Sequence, residues 1–185
     1  MKKIFKFIFI ISIIIIVLAV GVKNLFPFKY REEVLKASEK YNIDVFLIEA
    51  IIKAESNFNT GAVSPKGAKG LMQVTDSTAK WCAQKIGIDD FNLFSPSDNI
   101  EIGTYYFSYL MDMYDGDVYL ASAAYNAGYG NVNKWLAIAT ENKKPYIPYK
   151  ETQKYVRKID LYSKAYGLIY KDDLFLAFVR NLCVL

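Results

Sequence analysis

Between Phe7 and Val22 the chain runs through sixteen residues without a charge, broken only by Ser12 and Gly21, after the basic start Met1-Lys2-Lys3-Ile4-Phe5-Lys6 and before Lys23-Asn24. A run with no polar face has nothing to present to water, so this segment is directed to a membrane. Sixteen residues are short for a span, but counting from Ile4 past Lys6, whose amine can snorkel, gives nineteen, which is within range. The competing reading is a cleaved signal peptide. Ala19-Val20-Gly21 is only a loose small-x-small cleavage site, and no cysteine follows that would carry a lipobox acyl chain, so we favour an uncleaved signal anchor over residues 1–25. Its positive flank predicts a single pass at the cell membrane with the remainder extracytoplasmic; the alternative is secretion after cleavage.

The charge balance narrows the function classes. The formal charge is +4, but Lys2, Lys3 and Lys6 lie in the leader, leaving 20 basic against 19 acidic residues beyond it. A nearly neutral exported part lacks the basic face that replaces phosphate counterions, so no nucleic acid is expected as partner. Histidine is absent, which removes Ser-His-Asp and Cys-His catalysis and every His-ligated metal site. Cys82 and Cys183 are too few for a zinc cluster or a disulfide framework; a single bridge and free buried thiols both fit.

After a short linker at Phe26-Pro27-Phe28, no repeat or low-complexity tract divides the rest, and one domain follows. Helices are predicted over Arg31 to Tyr41, Asp44 to Ser56, Ser77 to Ile86 with Gly87 as its stop, Asp98 to Tyr114, Val118 to Ala127, Val132 to Thr140, and Lys150 to Tyr166 stopped by Gly167. Strand patterning is scarce, and any β structure is expected to be a small hairpin between Gly61 and Gln73. The expected fold is therefore a single, mainly α domain. The last stretch, Leu174 to Leu185, is apolar apart from Arg180 and Asn181, and either packs on the domain or lies against the membrane.

One carboxylate stands out. Ile48, Ile51, Ile52 and Glu55 recur at helical spacing, so Glu55 shares a stripe with three aliphatics at the end of a helix. A carboxyl held there loses hydration, which raises its pKa and lets it keep a proton near neutrality for a leaving oxygen. On its own, such a glutamate is more often solvated or capping.

Three further blocks change that weighting: Ser64-Pro65-Lys66-Gly67-Ala68-Lys69-Gly70-Leu71-Met72-Gln73, Ala124-Tyr125-Asn126-Ala127-Gly128, and Glu151-Thr152-Gln153-Lys154-Tyr155-Val156. With Glu55-Ser56 they resemble, in order and spacing, the lytic transglycosylases of the soluble, goose-lysozyme-like superfamily, over roughly residues 30 to 167. The resemblance implies a lysozyme-like α+β fold, a catalytic domain over 30–167, and an apolar tail, 168–185, to which it assigns no role. It implies that Glu55 is the catalytic acid, cleaving the bond between N-acetylmuramic acid and N-acetylglucosamine in peptidoglycan and leaving a 1,6-anhydro end.

Other roles follow from the same likeness. Ser56 is expected to orient the carboxyl or a sugar N-acetyl group, and Gly70 to allow close approach of the backbone. Met72 would contact a sugar face, and Gln73 would hydrogen-bond its substituents. Tyr125 and Asn126 would wall and order the site, and Glu151 and Tyr155, four apart on one helix face, would reach the cleft. No second carboxylate is marked as a nucleophile, Asp76 being merely the nearest in sequence. That fits a family using one glutamate and the substrate's own N-acetyl oxygen rather than a carboxylate pair. No cofactor or metal is implied, and the expected partners are glycan strands and the membrane, with the protein a monomer. The alternatives are a hydrolytic muramidase with the same acid, and a non-catalytic wall-binding component of an envelope machine. Two positions depart from the family pattern: Val45 and Tyr129 stand where proline is common.

Overall fold

The computed structural model describes residues 2–139 and 145–182, with eight helices among them: α1 (Lys2–Leu25), α2 (Arg31–Tyr41), α3 (Val45–Glu55), α4 (Asp76–Ile86), α5 (Pro96–Met113), α6 (Val118–Ala127), α7 (Tyr129–Ala137) and α8 (Lys150–Leu182). Local chemistry sets most of the boundaries. Asp44 caps α3 by accepting from the Phe46 and Leu47 amides, Asp117 does the same for α6, and Gly87 closes α4 at φ 75°. Pro96 sits in the first turn of α5, where its missing N–H has no intrahelical partner to lose. The predicted end of the seventh helix at Thr140 lies outside the described residues, as do the side chains of residues 173–182 and the whole of Cys183.

The core gathers Ile48, Ile51 and Ile52 of α3, Ile100, Ile102, Phe107 and Leu110 of α5, and Ala121, Ala123 and Ala124 of α6. α3 packs along α8, α2 on α5, and α6 between α5, α7 and α8. The small residues Ala121, Ser122, Ala123 and Ala124 of α6 are buried, so neighbouring backbones come close. Between α3 and α4 the expected hairpin is reduced to two isolated antiparallel bridges, Val63 with Lys69 and Lys69 with Val74. Cys82 is a free, buried thiol, with burial pushing its pKa up to about 12. That leaves it inert toward oxidation by the thiolate route.

The predicted stop at Gly167 is not observed, since α8 continues to Leu182. The reason is tertiary. Tyr166 and Tyr170 flank the glycine, and their hydroxyls donate to the carbonyls of Pro27 (3.1 Å) and Phe26 (2.7 Å), while Gly167 lies against the Phe46 ring. These contacts hold the helical path where propensity alone would release it.

The same tyrosines form half of a joint with α1. Residues 4–25 make a helix long and apolar enough to cross a membrane, with no part of it buried in the protein. Where it ends, the Lys53 ammonium donates to the Leu25 carbonyl at 2.6 Å and lies over the rings of Phe26 and Tyr162. Phe26 meets Tyr162 and Tyr166 edge-on, and Phe28 meets Tyr170. Three consecutive carbonyls at the exit of α1 are thus each satisfied by a side chain of the helical domain.

Candidate active site

Glu55 is the last residue of α3, and the chain turns sharply after it: Asn57 and Phe58 both take left-handed conformations, φ 49° and 66°. For non-glycine residues this costs about 1–2 kcal/mol each, and burial of the Phe58 ring holds the turn in place. Strain of this kind collects where a fold must place a functional group.

The Glu55 carboxyl is partly buried, and its pKa is pushed up to about 7. Desolvation is the largest cause, the Tyr155 hydroxyl opposes it, the Glu151 charge adds to it and the Lys158 charge opposes it. Tyr155 is buried, and its hydroxyl meets no partner within strict hydrogen-bond geometry. It therefore faces Glu55 through a looser contact, and the tyrosine's own pKa rises well above the ordinary value. Both Glu151 and Tyr155 are brought to the acid by α8, and Lys158, one turn on, joins them. Lys158 was not anticipated, although its i+3 spacing from Tyr155 carries the signal.

The loop of residues 61–74 and α6 are joined to each other near the acid. Tyr125 donates to the Met72 carbonyl at 2.8 Å, packs on Tyr106 and Phe107, and lies close enough to Glu55 for that charge to raise its pKa. Asn126 is fixed by Thr152, whose hydroxyl donates to its Oδ1 at 2.8 Å. Thr152 is itself buried and ties α8 to α6 beside the acid, a role that the sequence block contained but did not advertise.

Several expectations need correction. Met72 is fully buried, with its sulfur against Gly103 and Thr104, and offers no surface to a sugar; its contribution is the carbonyl that holds Tyr125. Ser56 donates to the Ile52 carbonyl at 3.2 Å, the back-bonding of a helix end, so its proton is not directed at the Glu55 carboxyl. Gly70 is required by the loop itself: at φ 74° a Cβ would stand 2.1 Å from the Leu93 carbonyl and 2.3 Å from Asn99 Nδ2. Gln73, at φ 50°, donates its amide to Gly70 O (2.9 Å) and Ala62 O (3.2 Å), so its N–H groups hold the loop. Asn99, missed in the sequence, organises the whole segment. It accepts from the Met72 amide at 2.7 Å and donates to Lys69 O and Leu93 O. Asp76 is paired with Lys69 at 2.8 Å and exposed, hence no partner for the acid.

A second carboxyl on α3 is buried more deeply. Glu49 has no exposed surface, neither oxygen has a partner, and burial pushes its pKa up to about 9. Six residues before Glu55, it is turned by about 120° around the helix, and its field reaches Tyr166 rather than the cleft. Among the described residues no cluster of His, Cys, Asp or Glu is arranged to hold a metal ion.

What this arrangement offers is one carboxylic acid poised near neutrality, with the Tyr155 hydroxyl, the Lys158 cation and the Glu151 anion near enough to bias its titration, and with Tyr125 and Asn126 held in place on α6. Comparison with known proteins points the same way. The profile of the transglycosylase SLT domain matches residues 32–147. The soluble lytic murein transglycosylase of Salmonella typhimurium is 34% identical over 153 residues, 76% of this chain and 23% of that protein. Membrane-bound lytic murein transglycosylase C of Serratia proteamaculans is 40% identical over 120 residues, 56% of this chain and 32% of that one. The crystal structure of the 70 kDa soluble lytic transglycosylase of Escherichia coli superposes with a TM-score of 0.75 at 31% identity, covering 80% of this chain and 25% of that one. The present chain thus spans roughly a quarter to a third of the length of these relatives.

Proposed function

The chain belongs to the transglycosylase SLT domain family, and from that premise we propose that it cleaves the β-1,4 bond between N-acetylmuramic acid and N-acetylglucosamine in peptidoglycan, with Glu55 acting first as acid and then as base. The observation that carries this reading is the Glu55 carboxyl at about 7. A single group that must give a proton and then take one works best when neither form is far from the operating pH.

Glu55 gives its proton to the bridging oxygen as the bond to the muramic C1 breaks, and N-acetylglucosamine leaves with a free 4-hydroxyl. The positive charge at C1 is stabilised by the substrate's N-acetyl oxygen, as the family resemblance implies. The Glu55 carboxylate then accepts the proton of the muramic C6 hydroxyl, whose oxygen closes on C1 as a 1,6-anhydro bridge. No water is consumed and Glu55 ends protonated. Tyr155 and Lys158 favour the carboxylate, while desolvation and Glu151 favour the acid, so the two halves of the cycle are balanced by opposing neighbours. Tyr125 and Asn126, fixed by Met72 and Thr152, form the substrate wall, and Gln73 offers its Oε1 to a sugar substituent. Residues 4–25 anchor the protein as a single-pass helix, with the catalytic domain outside the cytoplasm.

The test is digestion of isolated peptidoglycan by the full-length protein in detergent, with the released muropeptides weighed by mass spectrometry and treated with borohydride. Ends one water lighter and resistant to reduction are expected. Reducible ends of full weight would make the protein a hydrolase using the same acid, and no release at all would leave a wall-binding role.

A further inference from the structure

α8 separates two sides of the domain. Glu151, Tyr155 and Lys158 act on Glu55, whereas Val156, Arg157 and Asp160 are turned roughly 100–200° around the helix from Tyr155. On that far side lie two adjoining cavities of about 450 and 440 Å³, which share Tyr119 of α6 and Val156 and Arg157 of α8. Ser122 lines the first; it is 1% exposed, and its hydroxyl has no hydrogen-bond partner. Asp117 and Asp160 line the same cavity. Asp117 uses Oδ1 to cap α6 through the Tyr119 and Leu120 amides, which leaves Oδ2, and Asp160 is paired with the exposed Lys164 at 2.8 Å. Among the described residues Arg157 makes no ion pair, with these carboxylates or any other. Both signs nevertheless reach one hydroxyl: burial raises the Tyr119 pKa, the Asp117 charge adds to the rise and Arg157 opposes it. The second cavity is largely apolar, between Tyr119, Pro145, Tyr146, Ile147 and Val156.

We propose that this two-part groove between α6 and α8 binds a free α-amino acid, with its carboxylate on Arg157, its ammonium between Asp117 and Asp160, and an aliphatic or aromatic side chain in the second cavity. Two carboxylates and a guanidinium brought to one cavity without pairing call for a ligand that carries both signs itself, because a ligand of one sign would leave the other unmet. The fork of a guanidinium matches a carboxylate, and hydrogen bonds between charged groups are the strong ones. Ser122 adds a buried hydroxyl that can donate and accept, and a buried polar group without a partner marks a place where one is missing. A peptide is a poorer match, since its internal residues carry no such pair and its two ends carry one charge each. Each cavity falls within the roughly 300–1,000 Å³ of small-molecule sites. The groove lies across α8 from Glu55, so the site stands whether or not the chain cleaves glycan.

The test titrates the full-length protein in detergent with phenylalanine and leucine, each as both enantiomers, by calorimetry. Saturable binding at one site is expected. Phenylalaninamide lacks the carboxylate and N-acetylphenylalanine lacks the ammonium, so each should bind at least roughly tenfold more weakly than phenylalanine. Arg157→Gln, and separately Asp117→Asn combined with Asp160→Asn, should raise Kd by a similar factor. Arg157 and Asp160 are exposed, and asparagine caps a helix about as well as aspartate, so these variants should melt close to the wild type. Should one of them fail to fold, the two blocked analogues carry the test on the unaltered protein. No saturation by any of the four amino acids up to about 10 mM, equal binding of either blocked analogue, or an unchanged Kd in folded Arg157→Gln would each overturn the site.

Discussion

Replacing Glu49 by glutamine should change how the stability of this protein responds to pH, in a direction fixed by the structure. The carboxyl is fully buried without a partner, and its pKa moves from an ordinary 4.5 to about 9. Because the folded value is the higher one, folding takes up a proton between these two pH values. The stability contributed by Glu49 is whole below 4.5 and is lost progressively as pH rises to about 9. Each pH unit in that window is worth about 1.4 kcal/mol, so by pH 7 the folded state has lost about 3 kcal/mol relative to acid. Glutamine keeps the shape and leaves an unpartnered amide, but cannot ionise. Urea titrations of both proteins at about pH 5.5, 7.0 and 8.5, followed through Trp81 and Trp135, would give the difference in unfolding free energy, in which all other titrating groups cancel. That difference should move by about 4 kcal/mol across the series, in favour of glutamine at high pH. A difference that stays flat would mean that Glu49 is ionised or paired in the folded protein, and the reasoning would fail.

Activity should show a second pH signature. If Glu55 must be protonated at the start of the cycle, kcat/KM for wall digestion falls above about pH 7, and Glu55→Gln should lower it by roughly 10²–10⁴-fold. Glu151→Gln removes a charge that raises the acid and should shift this limb to lower pH, whereas Lys158→Met and Tyr155→Phe remove influences that lower it and should shift the limb upward; equal shifts in one direction would sink the assignment of neighbours. Thr152→Val leaves the Asn126 oxygen without its buried donor, an expected loss of about 1–3 kcal/mol readable by thermal denaturation. Gly70→Ala should destabilise more strongly than Gly67→Ala, because only at Gly70 does positive φ combine with a backbone oxygen in the place of the Cβ; equal melting temperatures would contradict the loop geometry.

Much of the helical frame is legible in the residues because its punctuation is local: Asp44, Asp117 and Gly87 state their boundaries through groups a few residues away. Gly167 misleads for the opposite reason, since what keeps α8 helical there lies some 140 residues earlier in Phe26 and Pro27. At the site, Glu55 can be found from the stripe it shares with Ile48, Ile51 and Ile52, because desolvation follows from burial and burial from periodicity. Met72 cannot be sorted in this way: core filling and ligand contact call for the same apolar residue, and only Gly103 pressed against its sulfur decides between them. Asn99 carries no motif at all, because its function is to meet three backbone groups that the sequence places far apart.

The joint between α1 and the domain bears on where in the wall such a cleft can work. Free backbone after a membrane helix would let the domain sweep a hemisphere around its tether, meeting strands at many depths and angles. Here the carbonyls of Leu25, Phe26 and Pro27 are held by Lys53, Tyr170 and Tyr166, so the exit of α1 behaves as a splint. A domain braced in this way keeps one heading relative to the axis of α1, so that whatever surface α1 enters would meet the domain at a fixed height and tilt rather than at the end of a free tether.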